Sequence, residues 1–303
     1  YYRLYDLKKS VQLIVTYPMS HVAMKTPYLL KISLDEDAPN PRADSGNLGK
    51  MVCWHRRYTL GDEHNYDEPR NFLIDLIEKN VKENEILQMA KADSINNIKM
   101  YYNHSEKLWV VESYDSYYRE WDKEIELAEP YAKCKSELAE AILGAMDNSV
   151  LLKLAEKHCC ILPLYLFDHS GLHISTEDLT KWPDGRWDAG QIGWIYTDRK
   201  VIAAQYGRCG SAGMDQARKR LEGEVKLYDR YLAGECYGFV LYQYGEMEDS
   251  CWGFLGTFDE VKEDIACELP PECQDLLEHL VEVPDMQQME CEDYEELLEE
   301  MEV

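Results

Sequence analysis

The sequence has few basic residues for its number of acidic ones. Its 303 residues contain 32 lysines and arginines against 58 aspartates and glutamates, a formal net charge of −26. Direct nucleic-acid binding needs a basic surface, and this chain would repel phosphate over most of its surface. We therefore expect no direct binding of nucleic acid. The 45% hydrophobic residues, with 22 tyrosines, still indicate a folded protein rather than a chain disordered throughout.

The sequence also lacks a membrane-spanning segment and a cysteine pattern typical of disulfides or metal sites. No apolar run is long enough to span a bilayer, and the first residues, Tyr1-Tyr2-Arg3-Leu4, show no signal-peptide pattern. The ten cysteines include no CxxC pair, and a chain of this length can bury a core without disulfides. We therefore expect a soluble protein with free thiols, no membrane association and a reducing, cytoplasmic location.

The apolar periodicity predicts an α+β fold with a largely antiparallel sheet and packed helices, because few connections follow a strand-helix-strand alternation. The strands are predicted at 11–15, 28–34, 50–55, 161–167, 172–175, 191–197, 237–244 and 250–256. The helices are predicted from 67, at 150–158, at 215–233 and from 257, where Thr257 and Glu260 have the spacing of a capping box.

The chain divides by pattern into four consecutive parts. These are an N-terminal α+β part (1–81), a helical insertion (82–160), an α+β region rich in aromatic residues and glycine (161–258) and an acidic helical tail (259–303). Within the insertion, residues 107–112 have a composition that also suits a strand.

The tail contains 18 acidic residues and one lysine. Four apolar residues predict one short helix with an apolar face, namely Leu276, Leu277, Leu280 and Val281. The acidic residues beyond them are expected to stay in water and to contact a partner, among them Glu295, Glu296, Glu299 and Glu300. We expect the tail to act through charge and to contribute little to the core, so that truncation after Pro270 would leave a cooperative fold.

One group of side chains could bind a metal ion. Asp168, His169 and His173 lie close in sequence, with Cys159 and Cys160 just before them, and mixed His, Cys and Asp ligands suit zinc. Their spacing has no recognised metal-site signature, however, and Asp-His-Ser-Gly between two strands is typical of a tight turn. We expect a turn, and neither a metal nor another cofactor.

Two other patterns contain residue types that can carry chemistry. Cys53 and His55 would point the same way on one strand and could form a thiolate and imidazole pair, but nothing in the spacing supplies an oxyanion hole or a third group, which favours a buried thiol and a hydrogen-bonded histidine. The stretch from Gly207 to Gly213 precedes a helix but lacks both the P-loop and the GxGxxG pattern, which favours a surface loop.

Glycine alternates with large aromatic residues in the third part of the chain. This pattern suits strands in which rings pack over a neighbour's bare backbone. We therefore expect structural roles for Trp187, Gly190, Gly193, Trp194 and Gly238. The alternative is that these residues line a ligand groove or a protein interface.

Several of these motifs together resemble a family of proteins encoded by bacteriophages and integrative elements. They occur in order between about residues 28 and 258 and read NLGKMVCWHRRYTLGDEH, LPLYLFDHSG, WDAGQIGWIY, YDRYLAGECYGFVLY and DSCWGF. The family has no settled enzymatic activity, so the resemblance transfers no catalytic residue. It implies an accessory protein that serves a mobile element inside a bacterium.

Among such accessory functions, inhibition of host defence fits the composition best. In acidity and size the chain is similar to viral inhibitors of nuclease-based immunity, such as Gabija inhibitors and acidic antirestriction proteins. We therefore expect a non-enzymatic protein, forming homo-oligomers, that binds a host defence complex over a basic DNA-binding surface. The alternatives are a metal-dependent hydrolase and a scaffold in phage DNA metabolism.

Overall fold

The computed structural model shows an α+β fold with antiparallel sheets, as the sequence predicts. The described residues are 2–5, 12–15, 19–25, 27–91, 97–169, 171–182 and 185–284. The acidic residues Glu295, Glu296, Glu299 and Glu300, like Ser170 of the predicted turn, lie outside these described residues.

The elements of the first half of the chain are, in order, β1 (Tyr2–Tyr5), β2 (Gln12–Val15), β3 (Met19–Lys25), β4 (Tyr28–Leu34), β5 (Lys50–Cys53), α1 (Pro69–Asn80), α2 (Glu83–Lys91), β6 (Ile98–Asn103), β7 (Leu108–Asp115), β8 (Glu120–Leu127) and α3 (Tyr131–Ala145).

The second half contains α4 (Asn148–His158), β9 (Cys159–Asp168), β10 (Leu172–Ser175), α5 (Gly185–Asp188), β11 (Ala189–Asp198), α6 (Arg199–Tyr206), α7 (Ser211–Leu232), β12 (Cys236–Gln243), β13 (Glu246–Leu255), α8 (Phe258–Glu268) and β14 (Val281–Pro284). Short 3₁₀ helices lie at Pro41–Ala43, Leu179–Lys181 and Gln274–Glu278.

The strands of the described residues form four sheets. Their orders are β1-β2, β10-β9-β11-β5, β13-β12-β4-β3-β14 and β6-β7-β8. The chain groups into two compact units, the first with residues 1–45, 167–174 and 226–303, the second with residues 46–166 and 175–225. The units thus combine distant stretches of sequence, whereas the four predicted parts are consecutive.

The first unit contains the five-stranded sheet. One face of this sheet is covered by α8 and the 3₁₀ helix at Gln274–Glu278, and Ile32 and Phe239 are fully buried there. Helix α8 begins with the predicted capping box: the Glu260 N–H donates to Thr257 Oγ1 and the Thr257 N–H donates to the Glu260 carboxylate. These bonds satisfy N–H groups that have no partner within the helix.

The tail contributes more to this core than the sequence predicts. Ile265, Leu269, Cys273 and Leu276 are buried among the strands' apolar residues. Instead of one short apolar helix, the chain forms a 3₁₀ helix and then β14, which pairs antiparallel with β3. The prediction missed this arrangement because the pairing joins segments more than 250 residues apart, a distance that local periodicity does not register.

The prediction of a helical insertion at 82–160 is wrong for the middle of this segment, which lies in the second unit. Helices lie at both ends of this segment, but residues 98–127 form the antiparallel sheet β6-β7-β8, and the possible strand at 107–112 belongs to β7. The aromatic and β-branched residues of this stretch favour strands. β6 packs on α2, β7 and β8 pack on α3, and Met100 and Val111 are buried in the core that these elements share.

Candidate protein interface

The three residues predicted as possible metal ligands lie between the end of β9 and the strand β10. Asp168 is the last residue of β9, the ring of His169 lies 6.0 Å from that of Phe167, and His173 Nδ1 lies 3.6 Å from Asp229 Oδ1. The same Asp229 oxygen accepts the Ile174 N–H at 2.8 Å, and burial raises the pKa of Asp229. Among the described residues, no three His, Cys, Asp or Glu side chains are grouped so as to hold a metal ion.

Cys159 and Cys160 are buried at the start of β9. Burial raises the pKa of the Cys159 thiol to about 12 and also raises that of Cys160. Both groups are therefore thiols at neutral pH, and a thiol is a poor nucleophile and a poor metal ligand. Their contribution is to packing.

The strand predicted at 50–55 is shorter than expected, since β5 ends at Cys53, so Cys53 and His55 do not lie on one strand. The His55 ring stacks on Tyr58, and its Nδ1 accepts the Arg57 N–H at 3.4 Å. A different histidine bonds to Cys53: the Nε2 of His64 lies 2.9 Å from the Cys53 carbonyl oxygen, while its Nδ1 accepts the Tyr66 N–H. His64 thus holds the loop after β5 against the strand.

Residues 207–210 connect α6 and α7, as the surface-loop interpretation predicts, whereas residues 211–213 of the same stretch already belong to α7. Gly207 ends α6 in a left-handed conformation with φ +77°. Gly213 is buried in the first turn of α7, where an added Cβ would lie 2.6 Å from the Arg208 carbonyl oxygen. Both glycines are explained by the backbone of the connection.

The glycine and aromatic pattern has the expected structural basis at three positions. The backbone of Gly193 contacts β5, and Gly238 lies under the ring of Trp252, which faces it on β13. Trp194 packs against Phe72 with ring centroids 5.8 Å apart.

The same prediction fails at Gly190 and Trp187. An added Cβ on Gly190 would meet nothing within 4 Å, and the Trp187 side chain is 85% exposed. Both lie at the start of β11 or just before it, where the strand has not yet reached the core, so neither supports the packing.

The most distinctive exposed surface of the second unit is the β7–β8 hairpin. Residues 108–127 contain six acidic and two basic residues, and β8 is an edge strand with mostly exposed side chains. We call the part with Tyr117, Tyr118, Glu120, Trp121 and Asp122 the hairpin tip. Acidic side chains on an edge strand hinder pairing with a second strand, so the side chains rather than the backbone are available for contacts.

The turn of the hairpin is held by Asp115. Its Oδ1 accepts the N–H groups of Tyr117 at 2.7 Å and Tyr118 at 2.9 Å, and its carbonyl oxygen accepts the Arg119 N–H at 2.8 Å. The two tyrosine side chains are nevertheless 84% and 69% exposed, and their rings meet edge to face. A fixed backbone therefore presents two aromatic rings to solvent.

A cation already packs on the third aromatic residue of the tip. Lys99 Nζ lies 4.0 Å from the centroid of the Trp121 ring and 2.6 Å from a Glu112 carboxylate oxygen. Within the part of the chain that the structure describes, Glu120 and Asp122 form no ion pair, unlike Glu112. The tip thus combines two unpaired carboxylates with aromatic rings that suit cations.

The sequence prediction missed Tyr117 and Tyr118 because they fell in the segment expected to be helical. A usable signal was present: Asp115, a residue that favours turns, lies between two stretches rich in Val, Tyr and Trp.

The β12–β13 hairpin of the first unit also exposes acidic and apolar side chains near its turn. Glu246, Glu248, Tyr244 and Met247 are exposed on it, and β13 is likewise an edge strand. It has fewer acidic residues, and its Trp252 packs over Gly238. It provides a matched comparison for experiments on the β7–β8 tip.

Comparisons with protein family models, with curated proteins and with solved structures found no match for this chain. In the described part of the chain, none of the helices has the length and apolar character that crossing a membrane requires.

Proposed function

We propose that this chain is a non-enzymatic binding protein whose hairpin tip contacts a basic surface of a partner protein. The observation that carries the proposal is the exposure of Tyr117 and Tyr118, on a turn fixed by Asp115, next to the unpaired carboxylates of Glu120 and Asp122. Exposed tyrosine and tryptophan supply contact area at low conformational cost and are enriched where binding energy is concentrated.

Charge identifies the class of partner. An acidic chain associates fastest with a basic surface, and arginine and lysine side chains can both pair with carboxylates and stack on aromatic rings. The contact of Lys99 with Trp121 is an example of this chemistry within the chain itself. The partner surface is therefore rich in arginine or lysine, as the DNA-binding surface of a nuclease is.

The biological setting follows from the sequence resemblance. In a bacterium that carries a phage or an integrative element, the partner is a nuclease-type defence complex such as Gabija. Occupation of its basic groove by this chain would keep DNA out, and the defence would be inhibited without any reaction at the hairpin tip. The same acidity keeps the chain itself off DNA.

The direct test measures binding of the full chain to a purified Gabija complex by biolayer interferometry, with DNA cleavage as the second readout. We expect the wild-type chain to bind and to reduce cleavage. The double variant Tyr117→Ser/Tyr118→Ser should bind at least about tenfold more weakly, with an unchanged melting temperature, because both rings are solvent-exposed. Tyr244→Ser, at the exposed turn of the other hairpin, is the matched control and should bind like wild type.

Charge is tested separately with Glu120→Gln/Asp122→Asn. The association rate of the wild-type chain should fall as salt rises past about 0.15 M, where the Debye length is about 8 Å, and the variant should show a shallower dependence. Absence of wild-type binding would refute the named partner. Full binding by the tyrosine variant, or loss of binding in Tyr244→Ser alone, would refute the tip as the interface.

A further inference from the structure

One surface of the second unit is basic, in a chain that is acidic overall. Residues 199–220, which form α6, the loop after it and the first half of α7, contain six basic residues and one acidic residue, Asp215. Their local charge is +5, and it remains +3 when the nearest acidic residues on either side, Asp198 and Glu222, are included. All six basic residues are exposed. A local surplus of this sign suits contact with an acidic surface.

Two of these six side chains already have partners within the chain. Arg220 Nε lies 3.3 Å from a carboxylate oxygen of Glu224. Arg199 donates to the Lys157 carbonyl oxygen at 2.8 Å, near the C-terminal end of α4. The remaining four form no ion pair within the part of the chain that the structure describes, and we call them the α6–α7 surface: Lys200, Arg208, Arg218 and Lys219.

The two helices that carry these side chains pack directly on each other. An added Cβ on Gly213, in the first turn of α7, would lie 2.6 Å from the Arg208 carbonyl oxygen and 3.5 Å from the Ile202 side chain of α6. Ile202 and Ala217 are fully buried, so each helix has one side turned to the core. The exposed basic residues therefore lie on the solvent side of one compact helix pair.

The hairpin tip has the chemistry that complements this surface. It combines two exposed carboxylates with two exposed tyrosine rings on a fixed turn. Arginine both pairs with carboxylates and stacks on aromatic rings, and two of the four cations of the α6–α7 surface are arginines, Arg208 and Arg218. Each copy of the chain thus has an acidic, aromatic tip and a basic surface that matches the tip of another copy.

We propose that the hairpin tip of one copy binds the α6–α7 surface of a second copy, so that the free protein self-associates and covers its own tip. The inference rests on the function proposed for the tip and adds its regulation, because a basic partner and a second copy compete for the same side chains. A second copy fits this small surface better than DNA does. The tip has only two carboxylates for four cations, whereas a duplex would continue onto the acidic surroundings.

Sedimentation velocity of the full chain over a range of concentrations tests this contact without any other protein. We expect the wild-type chain to self-associate. Arg218→Glu/Lys219→Glu should weaken the association at least about tenfold, and Glu120→Lys/Asp122→Lys should do the same, because each variant places like charges opposite each other. An equal mixture of the two variants should associate like wild type, because every contact between unlike copies then joins opposite charges.

The matched control is Lys133→Glu/Lys153→Glu, which makes the same change of charge at exposed positions of α3 and α4. It should associate like wild type, and all of these variants should keep the wild-type melting temperature, because the substituted side chains are exposed. The inference is overturned if the wild-type chain is monomeric at every concentration, if Arg218→Glu/Lys219→Glu associates as tightly as wild type, or if the mixture does not associate.

Two further outcomes separate this inference from its alternatives. Binding of the wild-type chain to duplex DNA, measured by fluorescence anisotropy and lost in Arg218→Glu/Lys219→Glu, would assign the α6–α7 surface to nucleic acid and overturn the inference. Self-association without binding to Gabija would support it while refuting the partner named above. A monomeric chain that binds Gabija would refute the self-association alone.

Discussion

Gly193 faces the carbonyl oxygen of Val52 so closely that an added Cβ would lie 1.9 Å from that oxygen and 2.9 Å from the Cys53 Cα. Gly193 lies in β11, and Cys53 is its antiparallel neighbour in β5. Both obstacles are backbone atoms, which cannot rotate away as a side chain can. The approach of these two strands therefore requires glycine at this position.

A graded series of glycine substitutions tests this packing. Gly193→Ala should destabilise the protein by more than about 3 kcal/mol, or abolish soluble expression, because a strand must move. Gly238→Ala should cost about 1–2 kcal/mol, since its obstacle is the partly exposed Trp252 ring, which can shift. Gly190→Ala should stay within about 0.5 kcal/mol of wild type. Urea denaturation measures the order, and equal losses at all three positions would contradict it.

Glu224 is a buried carboxylate that holds the chain entering β5. Its oxygens accept the N–H groups of Leu48 at 2.6 Å and Gly49 at 3.2 Å. Glu224→Ala should therefore destabilise the protein by about 2–3 kcal/mol, because buried N–H groups lose a charged acceptor. Glu222→Ala, an exposed position on the same helix, is the control and should change stability by less than about 0.5 kcal/mol. Equal unfolding midpoints for the two variants would show that these bonds contribute nothing.

Glu260 should make stability depend on pH in the acid range. The Lys226 ammonium, 2.7 Å away, and the Thr257 N–H lower the pKa of Glu260 from 4.5 to about 2. A carboxyl whose pKa is lower in the folded state adds stability above its unfolded pKa and loses it as pH falls through the folded value. The stability difference between wild type and Glu260→Gln should thus be constant above pH 5 and shrink as pH falls towards 2.

A double-mutant cycle identifies the cause of that pH dependence. The coupling between Lys226→Gln and Glu260→Gln should be favourable at pH 7 and much smaller at pH 2, where about half of the Glu260 carboxyls carry a proton. Thermal unfolding at both pH values supplies the four stabilities that the cycle needs. A coupling of the same size at pH 2 as at pH 7 would assign the effect to packing rather than charge.

Truncation separates the structural part of the tail from the remainder. Ending the chain after Pro284 keeps every described element, including β14, and should leave a cooperative unfolding transition. Ending it after Pro270 removes Cys273 and Leu276 from the core and the pairing of β14 with β3, and should cost at least about 3 kcal/mol. Similar melting temperatures for the two truncated chains would contradict the assignment of these residues to the core.

Arg119, at the turn of the β7–β8 hairpin, has a φ of +58°, in the left-handed region that favours glycine. Arg119→Gly should raise stability by up to about 1 kcal/mol, because the strain of a side chain in that region is removed. Arg119→Ala removes the charge but keeps the strain, and should stay near wild type. A thermal melt of both variants distinguishes backbone strain from charge, since an equal gain in both would assign the gain to the lost arginine.

The sequence alone determined the elements whose pattern is local. The strand at Tyr28–Leu34 and the capping box of Thr257 and Glu260 lie where they were predicted, because side-chain alternation and capping depend on residues a few positions apart. Gly193 and Gly238 were also correctly singled out, since a glycine between aromatic residues of a strand indicates close packing.

Only the tertiary structure decided which of the residues in these local patterns contact a distant part of the chain. Gly190 and Gly193 look alike in sequence, yet only Gly193 meets the backbone of β5. The sequence did not predict the β6-β7-β8 sheet or the exposure of Tyr117 and Tyr118, because strand pairing and exposure depend on residues distant in the chain.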